Sequence, residues 1–138
     1  MLSSSRFVVA IHVLCILARN AGKGPVCSNT IACSVDTNPV VIRRLMSELE
    51  KAKLVLSTAG RSGGFSLSKT ACDVSLADIY EAVEDSTVFR AHKLDPDAKC
   101  PVASKMFEVL MPKLRDAEIA MAASLHNTKL SQIATAFN

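Results

Sequence analysis

The chain has 138 residues, 49% of them apolar, and a formal net charge of +3. That length suits one domain, or a small domain with a helical extension, and supplies ample material for a core. Aromatic residues are 4% with no Trp, which weighs against base stacking on single strands, and five cysteines without paired spacing (Cys15, Cys27, Cys33, Cys72, Cys100) argue against a secreted disulfide framework.

The charge is unevenly spread. Residues 1–70 hold nine Lys and Arg against three acidic residues, a net of +6, whereas residues 71–138 hold seven against ten, a net of −3. A basic front half on an acidic back half fits a phosphate-facing module joined to one that avoids polyanions.

Ser3 to Arg19 reads as a first helix, capped by Ser4 or Ser5, with Phe7, Ala10, Ile11, Leu14 and Leu17 on one face. Arg6 and the apolar run behind it have the outline of a signal peptide. His12 interrupts that run, however, and no small-x-small cleavage pattern follows. No other segment has the length and apolarity to cross a membrane, so a cytoplasmic location without membrane contact is expected.

Asn20 to Pro25 is a turn, and Val26-Cys27 a short strand leading to Ser28, which is expected to cap a second helix burying Ile31, Ala32 and Val35. Asn38 caps a third helix, with Pro39 at its first position, where the missing N–H costs nothing. Ile42, Leu45, Leu49 and Ala52 mark its buried stripe, leaving Val40, Arg43, Arg44 and Ser47 outward. Leu54–Leu56 and Phe65–Leu67 read as paired strands joined by a tip, Ala59 to Gly64, that carries Arg61 and three glycines.

Ser75 caps a helix from Leu76 to Glu84, with Leu76, Ile79, Tyr80 and Val83 inward, and residues 85–100 read as a linker. Pro101 opens a long helix whose Ala103, Phe107, Leu110, Leu114, Ala117, Met121 and Leu125 recur at steps of three and four, with Pro112 expected to kink or break it. So long a stripe, with little protein left to cover it, suggests pairing with a second copy through Phe107, Leu110, Leu114, Ala117, Met121 and Leu125. A last short helix, Ser131 to Phe137, would tuck Ile133 and Phe137 against a neighbour.

These elements describe a mainly α fold with a small β-wing (α+β): a winged helix-turn-helix over 1–84, a linker over 85–100, and a dimerisation helix with a C-terminal helix over 101–138. In such a fold the helix over 39–52 enters the major groove of duplex DNA, and the wing over 57–66 meets the minor groove. Arg43 and Arg44 would offer bidentate forks to guanine or charge to phosphate, Val40 a contact to a thymine methyl, and Ser47 a hydroxyl to either strand. Arg6, Ser28, Asn38, Pro39, Arg61, Ser62 and Gly63 complete the expected DNA-binding set, the amides at the starts of the second and third helices serving phosphates. No phosphate loop follows a strand, and neither a Ser, His and Asp series nor HExxH spacing occurs, so an enzyme is not expected. Cys27, Cys33 and Cys15 read as core residues, and His12 and His126 as ordinary helix residues.

The series SNTIACSV, NPVVIRRLMSELEKAKLV, GRSGGFSL and VSLADIYEAVE resembles the Rrf2 family of bacterial winged-helix regulators, the group containing IscR, NsrR and CymR. The likeness spans nearly the whole chain and is most specific in the wing followed by SLADIYEAVE. The DTNPVVIRR start of the third helix and Cys100-Pro101-Val102 point to the YwnA-like branch. The resemblance implies a sequence-specific transcriptional regulator, acting as a repressor and as a homodimer on a palindromic double-stranded DNA operator, with a protein or small-molecule effector as a further partner. Some members hold an iron–sulfur cluster on three cysteines in the loop before the long helix. Here that loop contains Cys100 alone, with His92 the one imidazole, so no cofactor and no metal is expected. Cys100, in a loop at a helix start, is the candidate redox thiol. The alternative readings are a regulator acting chiefly by protein docking and a thiol sensor acting through Cys100.

Overall fold

The computed structural model describes residues 5–84, 97 and 99–137. Helix α1 (Ser5–Arg19) buries Ala10, Val13, Leu14, Cys15 and Leu17, and Phe7 at its start meets Tyr80 edge-on, ring centroids 5.2 Å apart. Ser4, a cap candidate, lies outside the described residues. Asn20 closes the helix by donating its side-chain amide to the Ile16 carbonyl at 2.8 Å. Val26 then forms an isolated antiparallel bridge with Phe65.

That bridge moves the start of α2 (Ser28–Val35). Cys27, not Ser28, is the N-cap residue, because the extended backbone at Val26-Cys27 turns helical only after Cys27, whose carbonyl accepts from Ile31 N at 3.1 Å. Asp36 ends α2 in the left-handed conformation (φ 59°), with Thr37 N returning to the Ala32 carbonyl at 2.9 Å. Two residues on, the Asn38 side chain accepts from Val40 N at 2.8 Å and Pro39 opens α3 (Pro39–Lys51).

Helix α3 buries Ile42, Leu45, Met46 and Leu49. Ala52, expected in that stripe, is exposed because the helix has ended: Lys53 adopts φ 61° and Leu54 N bonds back to the Leu49 carbonyl at 3.0 Å. Met46 takes the inward place. Strands β1 (Val55–Thr58) and β2 (Gly64–Leu67) pair antiparallel with Val55 opposite Leu67 and Thr58 opposite Gly64. After a 3₁₀ turn, Ala71–Asp73, α4 (Leu76–Val83) starts with a reciprocal cap: Asp78 N donates to Ser75 Oγ at 3.1 Å, and Ser75 N donates to the Asp78 carboxylate at 3.0 Å.

Helix α5 (Pro101–His126) runs uninterrupted past Pro112, so the expected break does not occur. It packs beside α4, and none of its 26 residues is buried. The linker assigned to 85–100, with His92, falls largely outside the described residues. Helix α6 (Leu130–Ala134) then brings the chain back: Leu130 N donates to the Val74 carbonyl at 2.7 Å, Leu76 N to the Thr128 carbonyl at 2.9 Å, and Leu130 sits fully buried among the side chains of α1 to α4. The core built by the first 84 residues thus takes a side chain from the far end of the chain. The side chain of Phe137 lies outside the described residues; Ile133 is partly buried against this core.

Candidate nucleic-acid interface

Helix α3 displays one polar face because its other face is spent on the core. Val40, Arg43, Arg44 and Ser47 are all exposed there. Val41, which sequence reasoning left out, is 50% exposed beside Val40 at 53%, so the first turn presents two valines to solvent. Asn38 is committed as the cap and Pro39 fixes the first helical φ, so these two residues shape the entry of α3 more than they present chemistry. Ser28 stands half-buried at the first position of α2.

The wing is positioned by contacts at its base. Val26 N donates to the Phe65 carbonyl at 2.9 Å and Phe65 N to the Val26 carbonyl at 2.8 Å, tying β2 to the residue that leads into α2. Ser57 donates to Glu50 Oε1 at 2.7 Å, tying β1 to α3. At the tip, Gly63 N closes onto the Gly60 carbonyl at 3.1 Å, leaving Arg61 and Ser62 exposed and Gly63 half-buried. A Cβ on Gly63 would lie 2.1 Å from the Thr58 carbonyl oxygen, so the tight tip requires glycine there.

Charge pairing leaves the interface cationic. Arg6 pairs with Glu48 of α3, and Glu50 accepts from Ser57, so both acidic side chains of α3 are engaged. Arg43, Arg44 and Arg61 make no ion pair among the described residues. Arg6, expected among the DNA-facing residues, pairs with Glu48 and remains 52% exposed.

The thiols fall differently from their sequence assignment. Cys27 and Cys33 are exposed rather than packed in the core, because α2 buries only Ile31 and Ala32. Cys15 alone is buried, and that burial raises its pKa. Cys27 Sγ lies 3.0 Å from Thr30 Oγ1, and this hydrogen bond, aided by the backbone amides of the first turn of α2, holds the thiol below its ordinary pKa. A cysteine directly before a Ser-Asn-Thr helix start was the available signal. Cys100 is exposed at the cap position of α5, its side chain making no capping bond.

Of the expected pairing residues, Phe107, Leu110, Leu114, Met121 and Leu125 are half-buried and Ala117 is exposed. A separate row, Val102, Met106 and Val109, stands 65%, 42% and 57% exposed, with Ile119 at 61%.

A capped helix behind a preceding helix, a braced glycine-tipped wing and unpaired arginines on both define a winged helix-turn-helix with a DNA-binding fold. A family profile described as Rrf2, iron-dependent transcriptional regulator, matches residues 3–136, and the chain belongs to this family of transcriptional regulators. It is 37% identical over 131 residues to YwnA of Bacillus subtilis, named as a candidate HTH-type transcriptional regulator, covering 94% of this chain and 95% of that one. A crystal structure described as that of a candidate DNA-binding protein is 36% identical, with a TM-score of 0.76, covering 94% of this chain and 98% of the other. CymR of B. subtilis, described as its global cysteine regulator, shares the fold at 24% identity and a TM-score of 0.71, covering 98% of each chain.

The family description names iron. The stretch 85–100 contains one cysteine, and among the described residues no group of three or more His, Cys, Asp or Glu side chains gathers to hold a metal ion. Among the described residues no helix is long and apolar enough to cross a membrane.

Proposed function

We propose that this protein represses transcription by binding a palindromic double-stranded DNA site as a homodimer, with α3 in the major groove and the wing, residues 57–66, in the minor groove. The observation that carries the reading is the set of Arg43, Arg44 and Arg61: three exposed guanidinium groups without ion pairs among the described residues, on two elements, α3 and the wing, that the Glu50–Ser57 bond links. Arg43 and Arg44 suit guanine edges or phosphates, and Arg61 on its thin tip suits a narrow minor groove. Val40 and Ser47 add contacts to base edges, and the first amides of α2, at Ser28, face phosphate. Ser62 and Gly63 let the wing backbone come close to the duplex.

Residues 1–84 form the DNA-binding unit in this reading, and α5 joins two copies. A helix of 26 residues, about 39 Å long, without one buried side chain and with apolar residues on two sides, supports pairing with a second chain. Phe107, Leu110, Leu114, Ala117, Met121 and Leu125 line one side, and Val102, Met106 and Val109 the other.

The test is fluorescence anisotropy on DNA from upstream of the chain's own gene, with excess unrelated duplex as competitor. Competitor-resistant binding that disappears in Arg61→Glu while the dimer persists supports the reading. Full affinity in Arg61→Glu overturns the role of the wing.

A further inference from the structure

Resting on the reading of α3 as the recognition helix, we propose that Arg6 is a positioning residue that keeps Arg44 available to DNA by occupying Glu48, and that it does not itself touch the duplex. Arg44 and Glu48 stand four residues apart on α3, a spacing at which side chains are neighbours on a helix surface and opposite charges pair. Left to the helix alone, Glu48 would draw the Arg44 guanidinium along the helix and away from a base edge or phosphate. In the structure Glu48 is paired instead with Arg6, which reaches over from the first turn of α1. Arg44 is left without an ion pair among the described residues.

The two arginines compete for one carboxylate across a shared space. A groove of about 400 Å³ between the start of α1 and α3 is lined by Arg6, Val9, Thr37, Val41, Arg44 and Glu48, among others. Arg6 and Glu48 remain 52% and 33% exposed, so the pair sits at the surface, where an ion pair contributes little to stability. Its consequence lies in what it withholds. The other acid of α3, Glu50, accepts a hydrogen bond from the Ser57 hydroxyl at 2.7 Å and keeps its charge. The carboxylate one turn beyond Arg44 is thereby occupied before DNA arrives, and its partner comes from outside the helix.

The experiment is a double-mutant cycle on the purified full chain. It uses the tightest duplex that the wild-type chain selects from a random library, read by anisotropy. A competing pair at this spacing is worth about twofold per protomer, and so about fourfold over two half-sites. Arg6→Ala is expected to weaken binding about fourfold. Glu48→Gln should bind at least as tightly as wild type, Arg6→Lys should match wild type, and adding Arg6→Ala to the Glu48→Gln background should cost nothing. An Arg6→Ala loss that persists in the Glu48→Gln background, with a salt dependence about one unit shallower per protomer, marks a direct phosphate contact and overturns the proposal. Equal damage from Glu48→Gln and Arg6→Ala, with matching falls in melting temperature, marks a brace between α1 and α3 and also overturns it. No effect of Arg6→Ala overturns it as well. If the wild-type chain selects no duplex, the recognition-helix reading itself fails, and this proposal with it.

Discussion

Val26 and Phe65 exchange both backbone hydrogen bonds, at 2.9 and 2.8 Å, so the strand that forms one side of the wing is pinned to the residue just before α2. Their closeness depends on the neighbour of Phe65. A Cβ on Gly64 would lie 2.3 Å from the Val26 carbonyl oxygen, and Gly64 has φ 151°, a conformation that side-chain-bearing residues rarely adopt. Gly64→Ala must therefore break the bridge or strain the backbone. A loss of about 2–3 kcal/mol is expected in urea unfolding, together with weaker DNA binding from a misaimed wing. Gly60 is the control: it has φ 101° but open space around it, so Gly60→Ala should cost only about 1 kcal/mol. Equal losses at the two positions would show that the bridge contributes nothing.

The start of α3 separates stability from recognition. Asn38 accepts from Val40 N, and Asn38→Ala should remove about 1 kcal/mol, read as a fall in melting temperature. Asn38→Asp keeps the cap and suits the helix dipole, yet it places a negative charge at the end of α3 read here as facing DNA. It should melt at or above the wild-type temperature and bind DNA more weakly. Unchanged affinity in Asn38→Asp would move the DNA away from this end of the helix.

Salt reports the size of the electrostatic contact. If the dimer engages about six to ten phosphates, affinity should fall by roughly 10³–10⁵ between 50 and 200 mM salt. A flat response would leave Arg43, Arg44 and Arg61 without the role assigned to them.

Much of this architecture was legible because it is written in local signals. The Asn38-Pro39 start, the Ser75 cap, the stripe of α3 through Leu49 and the glycine-rich tip each depend on residues a few positions apart, and each element stands within a residue or two of its expected limits. Where the reading failed, distant parts of the chain decide the outcome. Ser28 lost the cap to Cys27 because Phe65, 38 positions from Cys27, holds the preceding backbone extended. The Arg6–Glu48 ion pair left no local mark, because its two residues lie on different helices 42 positions apart. The apolar character of Cys27 and Cys33 points to the core, whereas the eight residues of α2 turn only Ile31 and Ala32 fully inward. Leu130 carried no mark of its destination, since the Val74 carbonyl that receives its N–H is 56 positions away.

The exposed row on α5 separates folding from assembly. Val109 is 57% exposed in the single chain, so Val109→Asp removes no buried contact within the protomer and should leave its helical content intact. If the row on that side lies between two copies, the variant should run as a monomer in light scattering and bind a palindromic site far more weakly. A variant that stays dimeric would leave the pairing to the side lined by Leu110 and Leu114.

The Thr30 hydroxyl and the first amides of α2 stabilise the Cys27 thiolate, so its pKa falls below that of an ordinary cysteine. The direction fixes the sign: at a given pH below the ordinary thiol range, Cys27 carries a larger thiolate fraction than a free cysteine, and the excess disappears as pH rises above that range. Labelling with a disulfide reagent should show a fast phase at neutral pH that Cys27→Ser removes. Thr30→Val should shift the phase to higher pH by deleting the largest contribution. Cys15, raised by burial, should react only on unfolding. Because Cys27 directly precedes Ser28, whose amide belongs to the end of α2 read as facing phosphate, a labelled Cys27 should also weaken DNA binding. Bound DNA should in turn slow the fast phase. A fast phase unchanged by saturating DNA would place the start of α2 outside the interface.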